Sequence, residues 1–327
     1  KVVVLMSELY PAIKPFTSEM FPVDNGHSLY LEQSGNPKGI PVLFLHGGPG
    51  AGLFSNYRRF FDPQKYWIIG FDQRGSGQST PFGSIECNTT QELLNDIKQI
   101  REYLGVRQWV LFGGSWGATL ALLAAIDSPE TVEGLVLRGS FLARREDFDW
   151  YLDEKGGAAQ LFPDYYAEFV LPADGALTTH TLVDAYYKLF TGSDEVHKMA
   201  AIKAWCLWEA RISRLHCKMQ DDELVPDVHR GISLAILECH YIKHQCFIEP
   251  HYILNNINKI NHIPATIIHG RYDCVCKIQG AYALNKAWSA SQLTIVPESG
   301  HSANEPKITA ALCLAATAMA NFIKENK

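Results

Sequence analysis

The sequence predicts an α/β fold built on a mostly parallel sheet flanked by helices, with one helical insertion. Short apolar runs bounded by turn residues recur at Val42–Leu45, Trp67–Phe71, Trp109–Phe112, Leu135–Leu137, Thr266–Ile268 and Leu293–Val296. Such runs suit strands buried on both faces of a parallel sheet. Helical patterns lie between them, and that alternation defines the class. The clearest is Gln91–Leu104, with Leu93, Leu94, Ile97, Ile100 and Leu104 at helical spacing. Thr89 and Glu92 offer a capping box before it, and Gly105 a stop after it.

The alternation stops between about Phe141 and Lys243, a stretch helical in pattern and rich in Trp and Tyr, and strands resume at Thr266. The expected division is an α/β core over 1–141, a helical cap over 142–243 and the rest of the core over 244–327. No internal repeat or low-complexity segment is visible.

Composition narrows the function classes. Apolar residues make up 47% and charged residues 20% of 327, as in an ordinary globular protein. A formal net charge of −6 supplies no basic footprint for nucleic acid or an anionic membrane. Eight scattered cysteines do not read as a disulfide framework, so reduced thiols in a cytoplasmic protein are expected. Cys239, His240, His244 and Cys246 sit too close together in sequence for a tetrahedral site without a second ligand pair, and no metal is expected. Ile308–Ile323 is apolar but shorter than the roughly 20 residues a membrane span needs, and reads as a packed helix. Lys1–Leu5 is too short for a signal peptide, and Met6 reads as the natural start. The run Asp221-Asp222-Glu223 is expected to face solvent.

Gly113-Gly114-Ser115-Trp116-Gly117 is a G-x-S-x-G motif set between an apolar strand and a helix. There the serine occupies a strained strand-to-helix turn and is presented as a nucleophile. A serine needs a base, and acid and histidine should follow it in that order. Asp273 lies just past the run at 266–268 and His301 just past the last strand, so both reach the sheet edge that carries Ser115. His301 would be general base then acid, with Asp273 orienting it. Asp72 precedes Ser115 and reads as loop structure, and His46 as support for the glycine turn after it. Backbone N–H groups of Trp116 and of the His46-Gly47-Gly48-Pro49-Gly50 turn would form the oxyanion hole.

With these motifs in place, the chain resembles the proline iminopeptidases, serine peptidases of the α/β-hydrolase fold. The resemblance runs from Leu9-Tyr10-Pro11 through HGGPG at 46–50, DQRGSGQS at 72–79, GGSWG at 113–117 and HGRYD at 269–273 to GHSANEP at 300–306. It implies release of N-terminal proline from peptides through an acyl-enzyme, without a cofactor, and it points to Gly48 as the loop's oxyanion donor.

An aminopeptidase must hold a protonated amine. Glu209 and Glu238 each lie on an apolar helical face, Glu209 with Trp205 and Ile212, Glu238 with Leu234, Tyr241 and Ile242. A carboxylate so placed pairs either with a Lys or Arg of the protein or with a ligand's ammonium. The resemblance favours the ligand, since Glu209 falls on the family's W-E motif and Glu238 on its I-E-N-H-Y motif. This chain reads Leu237-Glu238-Cys239-His240-Tyr241, departing on either side of the glutamate. The resemblance also assigns Phe141 to the proline ring and puts Cys276 beside the pocket. Trp150 and Tyr151 either join that pocket or pack in the core, and Arg138 reads as a salt-bridge residue. A broader esterase or amidase would share the triad without needing the glutamates, and a non-catalytic binding module would not need the triad.

Overall fold

The structure is a computed structural model and describes residues 9–215 and 227–326. The expectations for Lys1–Leu5, Met6 and Asp221–Glu223 therefore lie outside the described residues.

Eight strands form one sheet: β1 (Thr17–Pro22), β2 (Ser28–Gly35), β3 (Ile40–Leu45), β4 (Tyr66–Phe71), β5 (Trp109–Gly114), β6 (Val132–Arg138), β7 (Ala265–Gly270) and β8 (Ser291–Val296). Their order is β1-β2-β4-β3-β5-β6-β7-β8. All pairs from β4 to β8 are parallel, while β1–β2 and β2–β4 are antiparallel. The six apolar runs are the six parallel strands. The two antiparallel strands escaped the sequence reading because neither is an apolar run: β1 mixes exposed with half-buried residues, and β2 mixes half-buried with buried ones.

Helix α1 (Thr90–Tyr103) begins where expected, with Thr89 Oγ1 accepting the Glu92 N–H at 3.3 Å. Glu92 does not close a capping box. It reaches Arg74 at 3.4 Å, beside the buried Arg74–Asp96 pair at 2.7 Å. Helix α2 (Trp116–Asp127) has eleven of its twelve residues buried and fills the space beneath the sheet.

Between β6 and β7, no strand occurs among the described residues. That stretch holds α3 (Arg145–Leu152), α4 (Gly157–Leu161), α5 (Pro163–Phe169), α6 (Thr179–Thr191), α7 (Glu195–Ile212) and α8 (Val228–Lys243). Aromatic contacts hold these helices together: Phe169 stacks on Tyr186 and Trp208, and Tyr186 meets Trp205 edge to face. A single turn, α9 (Tyr252–Asn255), precedes β7, and α10 (Ile278–Ala287) and α11 (Pro306–Glu325) complete the chain. At 20 residues α11 is longer than its sequence pattern suggested, and it is long and apolar enough to cross a membrane. In this fold it packs Ile308, Leu312, Met319 and Ile323 into the core on the β6–β8 face.

Candidate active site

Ser115 separates β5 from α2 and has φ 57° and ψ −126°, a conformation that costs an L-residue about 1–3 kcal/mol. Its neighbours enforce it. The Ser115 N–H donates to the Arg138 carbonyl at 2.8 Å, and its own carbonyl accepts from Ala118 N–H at 2.9 Å. Gly117 is required because a Cβ there would collide with the Leu45 carbonyl. The result is a serine held at the carboxyl edge of the parallel strands.

Asp273 and His301 arrive at the same edge. His301 Nδ1 bonds Asp273 Oδ2 at 2.7 Å, and Asp273 Oδ1 accepts the N–H groups of Val275 at 2.9 Å and Cys276 at 2.8 Å. Burial alone would raise the Asp273 carboxyl. The His301 ring, the His269 ring and the Cys276 N–H together outweigh burial and hold it below its ordinary value. The histidine loop hangs from the end of α7, since both His301 N–H and Ser302 N–H donate to the Ser213 carbonyl, at 2.9 and 2.8 Å.

The glycine loop is tied down from two sides. His46 is buried, and its Nε2 accepts the Gln73 N–H at 2.9 Å. Nδ1 must then carry the proton and donate to the Gly47 carbonyl at 2.9 Å. Burial lowers the His46 pKa to about 4, so the ring stays neutral. The Gln73 side chain donates to the His46 carbonyl at 2.9 Å and accepts from Trp116 Nε1 at 2.9 Å, linking glycine loop and elbow. On the other side, Gly50 lies so close to α8 that a Cβ would collide with the Ser233 carbonyl, and Ser233 Oγ donates to the Gly50 carbonyl at 2.8 Å. Trp116 opens α2, so its N–H has no acceptor within the helix. Asp72 accepts the N–H groups of Leu53 at 2.6 Å and Gln78 at 2.8 Å. It bridges two loops, in the structural role its sequence context indicated.

One cavity wall carries Gly48, Ser115, Phe141, Tyr151, Glu238 and Cys276 together. Glu238 is 6% exposed, and its Oε2 accepts from Trp205 Nε1 at 2.5 Å. Burial, then the neighbouring Glu209 carboxyl, push Glu238 well above its ordinary value. Glu209 is half-buried and accepts a long bond of 3.5 Å from the Tyr151 hydroxyl. The two glutamates, 29 positions apart in sequence, thus meet across α7 and α8. The unusual flanking residues point elsewhere: Leu237 packs on Gly75, and Cys239 Sγ donates to the Val183 carbonyl.

Two open readings are decided and one expectation changes. Trp150 does not line the cavity; its Nε1 donates to the Cys274 carbonyl at 3.0 Å. Cys276 is buried, with its thiol pushed well up by burial and by Asp273, and Ser115 Oγ lies 4.0 Å from its sulfur. Arg138 forms no salt bridge among the described residues. Its Nη1 donates to His301 Nε2 at 3.0 Å and to the His301 carbonyl at 3.1 Å. No hydrogen bond joins Ser115 Oγ to His301 among the described residues.

The cavity also uses Phe148, Tyr241, Ile242, Cys246 and Val275. Phe148 lies one turn before Tyr151, and Tyr241 and Ile242 one turn after Glu238, so helical spacing carried a signal for these three. Cys246 carried none. It is reached through a left-handed run at Gln245, Cys246 and Phe247, with φ of 50°, 53° and 54°, that no local pattern announces.

Residues 40–307 match the sequence profile of the alpha/beta hydrolase fold, so fold and profile define the class. Among curated proteins, the chain is 46% identical over 314 residues to a proline iminopeptidase of Xanthomonas citri, covering 94% of this chain and 97% of that one. It is 44% identical to a proline iminopeptidase of Arabidopsis thaliana, covering 94% and 80%. Among solved structures, an esterase from Exiguobacterium antarcticum superimposes with TM-score 0.65 at 19% identity, covering 93% of this chain and 99% of that one. The chain belongs to the proline iminopeptidase family of the α/β-hydrolase fold.

Proposed function

We propose that this protein is a serine aminopeptidase that releases N-terminal proline from peptides through an acyl-enzyme. The observation that carries this reading is the meeting of Glu238 and Ser115 on one cavity, with Glu209 beside Glu238. A triad alone supports acyl transfer of any kind. An acidic pair a short way from the serine supports a substrate whose amine adjoins the scissile carbonyl.

In this mechanism Ser115 Oγ attacks the prolyl carbonyl while its proton passes to His301 Nε2, and Asp273 holds the ring through Nδ1. The N–H groups of Gly48 and Trp116 receive the oxyanion. His301 then gives the proton to the leaving amine as the C–N bond breaks, and water, activated by the same histidine, releases proline. Glu209 and Glu238 hold the imino nitrogen, and Phe141 and Tyr151 flank the ring. Helices α3, α7 and α8, within the proposed cap of 142–243, close the space beyond the amine, which favours an N-terminal residue over an internal one. No cofactor or metal enters any step. Cys239, His240 and His244 instead bond the carbonyls of Val183, Asn88 and His240. No disulfide joins the described cysteines, which supports a cytoplasmic location, and the net charge of −6 supports peptide partners over nucleic acid or membrane.

The test compares proline β-naphthylamide, its N-acetyl derivative and an aryl ester, with Ser115→Ala as control. We expect turnover of the free-amine substrate only, lost by about 10⁴-fold or more in Ser115→Ala. Hydrolysis of the ester alone would replace this reading with the esterase one.

A further inference from the structure

Arg138 is placed by β6 at the catalytic edge and takes part in none of the steps above. Its guanidinium sits against the Cα of Gly114, next to Ser115, and Nη1 holds the lone pair of His301 Nε2. Its Nε is buried without a partner. Asp273 is already committed to His301 and two backbone N–H groups. The site therefore contains a guanidinium with no carboxylate bound to it and an unused donor.

The atom that Nη1 occupies on Nε2 is where the reaction needs first Ser115 Oγ and then the leaving nitrogen. Nη1, 3.0 Å from Nε2, therefore stands where the leaving nitrogen must arrive to take its proton. When substrate docks, the guanidinium must leave Nε2. A shielded cation that moves off Nε2 and the neighbouring His301 carbonyl loses both acceptors of Nη1, which is costly unless an anion receives it. In a prolyl dipeptide the α-carboxylate is two bonds from the leaving nitrogen, within reach of a guanidinium displaced from that very spot. The planar fork of arginine matches a carboxylate bidentately, and the idle Nε supplies the second donor.

We propose that Arg138 is a carboxylate clamp for the residue after proline: it caps the general base in the free enzyme and is drawn off by the C-terminal carboxylate of a prolyl dipeptide. Dipeptides of the form Pro-X are then the preferred substrate class. This rests on the triad reading above.

The experiment measures kcat/KM for Pro-Ala and for Pro-Ala amide in wild type, Arg138→Met and Arg138→Lys. The wild type should favour the free acid by roughly 10- to 100-fold, the range for hydrogen bonds to a charged group. Arg138→Met should bring the ratio to about that of the leaving groups alone, and Arg138→Lys, which keeps the charge without the fork, should fall between. The ratio is the readout because a general loss of folding lowers both substrates together. A wild-type ratio near one, or a ratio that persists in Arg138→Met, overturns the proposal. If Arg138→Met proves unfolded, the wild-type and Arg138→Lys ratios decide. Activity surviving in Ser115→Ala would sink the triad reading instead, which separates the two failures.

Discussion

Replacing Glu238 by Gln separates a carboxylate kept for substrate from one kept for structure. The change is isosteric, and Trp205 Nε1 retains an oxygen to donate to. What is lost is one negative charge at a buried position whose strongest electrostatic neighbour is another carboxyl, Glu209. A carboxyl with a raised folded pKa keeps its proton in the native state at pH values where the unfolded chain has lost it. Stability therefore falls as pH rises from the ordinary value of 4.5 towards the raised one, and the deficit persists above it. Glutamine removes that deficit, so Tm at pH 8 should equal or exceed that of the wild type. Activity should move the opposite way. A charge-assisted hydrogen bond to the substrate's ammonium contributes about 1.5–3 kcal/mol, so kcat/KM for proline β-naphthylamide should drop roughly 10- to 150-fold. In the wild type, binding should strengthen as pH rises through the Glu238 titration, and the variant should lose that dependence. Phosphonylation of Ser115 by a fluorophosphonate, which brings no amine, should proceed at the wild-type rate. A Tm lowered by several degrees together with an equal loss of phosphonylation would show that Glu238 serves structure, and would refute the assignment.

Other consequences follow from contacts around the site. Ser233→Ala removes the bond to the Gly50 carbonyl that ties α8 to the glycine loop. It should cost about 1 kcal/mol in a urea titration and lower kcat more than it raises KM, whereas an unchanged kcat would mean the loop keeps its place without α8. Asp96→Ala leaves the Arg74 guanidinium buried without its main partner, and unfolding should show a loss of about 3–5 kcal/mol. Iodoacetamide under native conditions should label the exposed Cys87 before any other described cysteine. Labelling of Cys276 should require unfolding, since burial raises its thiol and covers it; peptide mass mapping over time distinguishes the order.

Strand-to-helix alternation and the elbow were legible in the sequence because both are local. A fully buried parallel strand must be an apolar run, and a serine forced to φ 57° beside a close strand crossing must have glycine near it. Chain order and strand ends were then enough to single out Asp273 and His301 from many acids and twelve histidines. The N-terminal hairpin was not legible. β1 is largely exposed and β2 interrupts its apolar positions with Glu32, Gln33 and Ser34, so both resemble any polar segment with scattered apolar residues.

The sequence by itself determined the fold class, the strand-to-helix turn at Ser115, the carboxylate and imidazole that arrive at the same sheet edge, and the two helices bearing glutamates. Each depends on a residue's own backbone demands or on its spacing along one element. Only the tertiary structure decided what those groups face. That Glu209 and Glu238 share one site depends on how α7 packs on α8, and that Cys246 joins the cavity depends on a left-handed turn. That Arg138 meets His301 instead of a carboxylate depends on the neighbouring ends of β6 and the loop after β8. Such contacts join residues far apart in the chain, 163 positions in the last case, and no periodicity within either segment encodes them.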